Sequence, residues 1–216
     1  FYNILFGISI KGQFDVQILE KSFNEIIRRH ESLRSSIQTI NGESALVVSW
    51  DLNVPVNIKD LQSLSDDEQK KKVEQITKDE YEKSFDISSA PLIRSCVLKL
   101  NSDEHVLLFA MHHIISDGWS MGIFISELTK LYETFSKGES SPLPELSIHY
   151  SDFALWQRKN VDLQSQLSYW KKGLADLPII ELQLDFARPT TQSFRGGVER
   201  DGLSLAVTDL VKGVAS

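Results

Sequence analysis

Apolar residues recur along the chain with two different periods. Ile4, Phe6, Ile8 and Ile10 alternate with other residues before Lys11-Gly12-Gln13, a pattern that predicts a strand followed by a loop. From Val16 to Arg29 the residues Ile18, Leu19, Phe23, Ile26 and Ile27 return at spacings of three and four, and Asp15 stands where a cap belongs. That segment is a predicted helix. Residues 33–40 and 45–50 flank Asn41-Gly42, a pair that tolerates positive φ, so two paired strands are expected there. Residues 65–84 open with Ser65, Asp66, Asp67 and Glu68 and carry Lys70, Lys71 and Lys72 with few large apolar positions, the signature of a solvated surface helix.

Farther on, residues 92–100 and 105–113 are apolar runs separated by Asn101-Ser102-Asp103-Glu104, as suits neighbouring strands in a covered sheet. Beyond Gly118, the residues Trp119, Ile123, Phe124, Leu128, Leu131, Tyr132 and Phe135 mark one helix face that ends near Lys137-Gly138. Two more helices are expected over residues 148–159 and 163–174, then a long connection over 178–197. Both ends of the chain read as cut, the last residues falling inside a helix-like apolar pattern. Strands alternating with helices predict a layered α/β core.

Composition narrows the function classes. A chain of 216 residues with 41% apolar and 9% aromatic residues can bury a substantial core. Its formal charge is −7 and its basic residues are scattered among acidic ones, which disfavours nucleic acid and anionic membranes as partners. Cys96 is the only cysteine, so a disulfide framework or a cysteine-rich zinc site is not available within the chain, and a cytoplasmic location is expected. No apolar run approaches the ~20 residues of a membrane span, and neither a signal peptide nor an anchor is visible.

Candidate chemistry concentrates in residues 111–120, MHHIISDGWS, at the carboxyl end of a predicted strand. Alternation puts His112 on the face of Val106, Leu108 and Ala110, and His113 on that of Leu107, Phe109 and Met111, so the two imidazoles should have different jobs. One can emerge toward a cleft while the other is held by a hydrogen bond through its ring. An imidazole with a reference pKa of about 6.5 can take a proton from an attacking amine or hydroxyl. Asp117 could orient that ring, join the histidines around a metal, or close the loop through a buried ion pair, and spacing alone does not choose among these. The metal is disfavoured for want of an evident fourth ligand. Gly118 opens the next helix, where a missing Cβ admits substrate and exposed N–H groups can stabilise an oxyanion, or where a turn simply needs glycine. Packing and hydrogen bonding alone would also account for a double histidine in an apolar run.

The same segment resembles the HHxxxDG motif of the condensation domains of nonribosomal peptide synthetases, with His112, His113, Asp117 and Gly118 at its fixed positions. Two further segments occur in the family's order: residues 29–37, RHESLRSSI, look like RHExLRTxF, and residues 150–157, YSDFALWQ, look like YxDFAxWQ. Tyr169-Trp170 and residues 185–189, DFARP, resemble the stretch leading toward a second lobe. The resemblance covers nearly the whole chain. Ser35-Ser36-Ile37 departs from the commoner Thr-x-Phe, and no segment resembles the family's opening SxAQxR-type motif or its later motifs.

The resemblance implies a two-layer α/β sandwich, one lobe of a chloramphenicol acetyltransferase-like pseudodimer, over residues 1–175, with a crossover and the start of a truncated second lobe over 176–216. It implies an acyltransferase that joins an upstream carrier-bound aminoacyl or peptidyl thioester to the α-amino group of a downstream carrier-bound aminoacyl acceptor. His113 would be the catalytic-position histidine, as base or as positioning group, and Gly118 would contact the donor thioester region. His112 would support the loop, and Asp117 would pair with Arg34. Trp119 and Ser120 would pack and cap, and Tyr150, Asp152, Phe153 and Trp156 would pack between helices. No cofactor binds directly and no metal is needed: phosphopantetheine arms arrive on carrier domains, with an adenylation domain as neighbour. An epimerisation domain, a standalone acyltransferase and a catalytically silent docking module are the alternatives, whereas cyclisation domains replace the double histidine with an aspartate-based motif. Half a cleft does not preorganise two substrates, so residues 1–216 alone are expected to be inactive.

Overall fold

The computed structural model describes residues 2–178, 180, 182–191 and 202–215. The opening alternation forms strand β1 (Asn3–Lys11), and the amphipathic segment after it forms helix α1 (Val16–Arg29). The Asp15 carboxylate caps α1 by accepting from the amides of Gln17 at 2.8 Å and Ile18 at 3.3 Å, which satisfies two donors that the helix cannot.

The expected hairpin is β2 (Ser35–Ile40) with β3 (Glu43–Val48), turning at Asn41 (φ 53°) and Gly42 (φ 83°). Its first strand begins two residues later than its apolar pattern, because Glu31–Arg34 forms a 3₁₀ turn that places Leu33 in the core. Strand β4 (Val56–Asp60) was not anticipated: it is short, and past its buried first residue every position is exposed, so it carries no apolar alternation. Helix α2 (Asp66–Glu82) starts in a capping box between Ser65 and Glu68 and buries Ile76 alone. Strands β5 (Ile93–Lys99) and β6 (Glu104–His112) follow, then α3 (Gly118–Ser136), α4 (Tyr150–Asn160) and α5 (Leu163–Gly173).

The main sheet has the order β1-β6-β5-β4, antiparallel except for the parallel β4–β5 pair, so β6 lies between two partners. Strand period then sorts its side chains. Leu107, Phe109 and Met111 face α1 and α3, joined by Ile93 and Val97 from β5, whereas Leu108 with Cys96 and Leu98 faces Ile76 of α2. The mixed α/β class read from the alternation is therefore the one observed. The sheet and the α1–α3 pair are its principal layers, and α2 covers the second face.

Two compact units are present, Phe1–Lys172 and Gly173–Ser216. The second contains helix α6 (Leu205–Ala215), where the terminal apolar pattern lies. The long connection expected over residues 178–197 falls partly outside the described residues, and its described part forms neither helix nor strand.

The centre of the first unit's core is Phe109. Its ring lies 5.2 Å from Phe6 of β1, 5.3 Å from Phe23 of α1 and 4.9 Å from Phe124 of α3. Aromatic pairs at such distances add to the gain from burial alone. Truncation at this fully buried position, Phe109→Ala, is expected to cost about 3–5 kcal/mol, read as a lower urea midpoint with unchanged slope. A loss below about 1 kcal/mol would show that the cluster is not the centre of the core.

Candidate active site

Strand β6 ends at His112, and the chain crosses residues 113–117 before α3 begins at Gly118. The His113 amide donates to the Tyr2 carbonyl at 2.7 Å, which continues the β1–β6 ladder one step beyond the Asn3–His112 pair. Burial falls steeply over three residues: Met111 is buried, His112 half-buried and His113 exposed.

The two imidazoles have different surroundings. His112 lies against Tyr2 and Phe85, with ring centroids 6.2 and 6.4 Å away. Its Nδ1 accepts from the Ile114 amide at 3.1 Å, so that nitrogen is unprotonated and Nε2 carries the hydrogen. Burial pushes its pKa below the usual histidine value, which favours the same neutral form. His112 thus fastens the turn that follows it, while the exposed ring of His113 is open to solvent.

Asp117 occupies the N-cap of α3, where its carboxylate accepts from the Ser120 amide at 2.8 Å and the Ser120 hydroxyl at 2.7 Å. Those two bonds hold its pKa below the ordinary carboxylate value, helped less by the Trp119 amide and by His113. The side chain expected to pair with Arg34 does not do so. Arg34 is buried, and its guanidinium donates to the carbonyls of Ser49 at 2.9 Å and Arg28 at 3.3 Å, with Glu31 at 3.7 Å. The physical reason is local supply: the helix terminus already uses the Asp117 carboxylate, and the end of β3 already fills the Arg34 fork. Arg34 therefore ties the hairpin to α1 rather than closing the loop. A Cβ added at Gly118 would meet nothing within 4 Å, so the approach to the first turn of α3 is open.

The sequence did not single out Glu127. On α3 it is three residues after Phe124 and four before Leu131, a charge on the apolar face, and that was the available signal. Glu127 receives Arg29 Nη1 at 2.9 Å and the His30 Nε2 at 2.7 Å, while Arg29 Nε also donates to the Pro144 carbonyl at 3.0 Å. Arg29 and His30, the first residues of the RHESLRSSI segment, thereby bind the end of α1 to α3 beside the loop.

The third segment behaves differently from its expectation. Tyr150, Phe153 and Trp156 are 66%, 45% and 54% exposed, with Phe153 stacked on Trp156 and tilted against Tyr150, so they do not pack between helices among the described residues. The link from α4 to the turn at the end of α1 includes the Ser151 hydroxyl donating to Glu31 at 2.9 Å.

A mixed α/β lobe in which the double-histidine segment joins an interior strand to a helix is of the chloramphenicol acetyltransferase-like fold class. Within that class the chain belongs to the condensation domain family of nonribosomal peptide synthetases, whose sequence model matches residues 1–216. Malpinin synthetase of Mortierella alpina is 39% identical over 199 residues, which are 90% of this chain and 2% of that protein. Surfactin synthase subunit 2 of Bacillus subtilis (strain 168) is 38% identical over 203 residues, 92% of this chain and 5% of that protein. The X-domain from teicoplanin biosynthesis aligns with TM-score 0.80 at 22% identity over 91% of this chain and 44% of its own. The starter condensation domain of rhizomide synthetase RzmA aligns with TM-score 0.71 at 16% identity over 82% and 43%. The chain thus spans a few per cent of the length of these synthetases and less than half of either structure. Condensation domains are acyltransferases that work within synthetases beside carrier and adenylation domains. No helix among the described residues is long and apolar enough to cross a membrane.

Two stability measurements follow from the partners found here. Since Arg34 and Asp117 do not touch, the losses in Arg34→Ala and Asp117→Ala should add in the double variant, and a clear coupling in the thermodynamic cycle would restore the ion pair. Because the Asp117 carboxyl is held below its unfolded value, its charge contributes stability above that value and loses it as pH falls through the lowered pKa. Wild type should therefore melt above Asp117→Asn near neutral pH, and the gap should close on acidification; a gap independent of pH would contradict the assignment.

Proposed function

We propose that the domain containing this chain forms amide bonds, with His113 as the group that handles the amine's proton. The observation that carries this reading is the division of labour at the end of β6: His112 is neutral and spent on the Ile114 amide, whereas His113 stands exposed beside the Asp117 carboxylate and the open start of α3. An exposed imidazole at that position can reach a substrate amine and take up its proton.

In the proposed step, the α-amino nitrogen of the downstream aminoacyl group attacks the carbonyl carbon of the upstream thioester. His113 takes a proton from that nitrogen, the tetrahedral oxyanion collapses, and the carbon–sulfur bond breaks to expel the upstream phosphopantetheine thiolate, which takes that proton from His113 and leaves as the thiol. The lengthened chain stays on the downstream carrier. Gly118 would let the thioester approach the first turn of α3; Asp117 engages the Ser120 amide, which leaves the N–H groups of Gly118 and Trp119 to serve the oxyanion. The phosphopantetheine arms belong to the two carrier domains and are substrate supports. Positioning both needs more contacts than one lobe supplies, so residues 1–216 alone should not turn over.

The test uses the synthetase polypeptide that carries this chain, with both flanking carriers loaded with aminoacyl groups and the downstream thioester followed by intact-protein mass spectrometry. The dipeptidyl mass should form in wild type and slow by about 10²–10⁴-fold in His113→Ala. Inverted Cα configuration without transfer would assign epimerisation, and neither signal would point to a docking role.

A further inference from the structure

A cavity of about 110 Å³ lies beside the loop, between α1, the 3₁₀ turn, the end of β6 and the first turns of α3. Its walls are largely apolar, among them Ile26, Met111, Ile115 and Phe124, with Ile123 at 44% exposure marking its mouth. Met111, Ile115, Ser116 and Ser120 all come from the MHHIISDGWS segment, so the loop that carries His113 is also a wall of the cavity. Strand alternation puts His113 on the side of Met111, the same side of the sheet as the cavity.

The polar wall is held in place independently of any ligand. His30 lines the cavity, and its Nε2 lies 2.7 Å from Glu127, which also binds Arg29. With the ring clamped to α3 and Met111 buried in the sheet, the space is bounded by rigid elements, which is what a selective site requires. Its volume is somewhat below the ~150 Å³ of an apolar cavity that admits benzene. That size suits a branched aliphatic group of roughly three or four carbons and leaves no room for an indole.

We propose that this cavity is the side-chain subsite for one of the two aminoacyl groups, taking an aliphatic side chain of valine to leucine size. The proposal rests on the amide-forming reading above. Donor and acceptor present the same chemistry, so the experiment varies each in turn.

In the synthetase polypeptide carrying this chain, one carrier is loaded with its native aminoacyl group and the other with alanyl, leucyl or phenylalanyl groups, then the roles are exchanged. Ile123 touches the mouth and lies outside the proposed catalytic group, which makes it the position to alter. Ile123→Phe should lower the ratio of leucyl to alanyl transfer at least tenfold, and Ile123→Ala should raise the ratio of phenylalanyl to alanyl transfer relative to wild type, in line with the worth of a methylene in an apolar pocket. The carrier arm in which this size dependence occurs identifies the occupant. Equal changes for all three side chains, or none, in both arms would overturn the subsite. An absence of transfer by wild type with its native groups would instead overturn the amide-forming reading, and the subsite with it.

Discussion

The contact on which the rest of this lobe depends is the packing of Phe109 against Phe6, Phe23 and Phe124. One side chain in the interior of the sheet touches the neighbouring strand and both covering helices. The geometry of the loop follows from it. Residues 113–117 are suspended between β6, which carries Phe109, and α3, which carries Phe124. A short connection between two packed elements inherits their rigidity, which is the condition for holding a reactive group within a fraction of an ångström.

Around that frame, three buried or capping charged groups are each satisfied by partners already within reach. Asp117 caps the helix it precedes, Arg34 fills its fork with carbonyls at the ends of α1 and β3, and Glu127 collects both Arg29 and His30 from α1. Buried donors and acceptors left unmatched would cost more than the net worth of any bond made, so local supply decides among possible pairings. The consequence for the site is that α1 and α3 are tied by charge through Glu127, while the loop is tied to α3 through Asp117. Two independent fastenings act on one helix, one at its N-cap and one in its third turn.

Much of this was legible in the chain. The periods over residues 16–29 and 118–136 identify α1 and α3, Asn41-Gly42 identifies the hairpin, and β-run alternation separates His112 from His113, because each of these is a local property of few residues. Strand β4 was not legible: an edge strand with one buried residue has no apolar alternation, and its pairing with β5 is a long-range contact. The Arg34–Asp117 pairing failed for a related reason. The family resemblance implied it, but which oxygen an arginine reaches depends on how the end of β3 lies over α1, which only the folded chain defines. Glu127 shows the converse, since a charge inside an apolar stripe can be seen in sequence and announces a buried partner without naming it.

The register of β1 against β6 matters at the strand end that carries the two histidines. In a strand, a slip by one residue turns every side chain to the other face. Here β6 is also paired with β5, so a slip of β1 would leave the histidines on their faces but turn Phe6 and the rest of β1 away from the core and break the bond from the His113 amide to Tyr2. Several bonds beyond the ladder itself oppose such a slip. Asn3 Nδ2 donates to the carbonyls of Tyr81 and Lys83 at 2.7 and 2.9 Å, the Gly12 amide donates to Asp103 at 2.7 Å, and the His113 amide donates to Tyr2. They pin β1 at both ends, against α2 at one and against the β5–β6 turn at the other. Identical side chains at neighbouring positions can therefore serve different purposes because β6 ends between them, and the edge strand, far from the loop in sequence, holds that end in place through Tyr2.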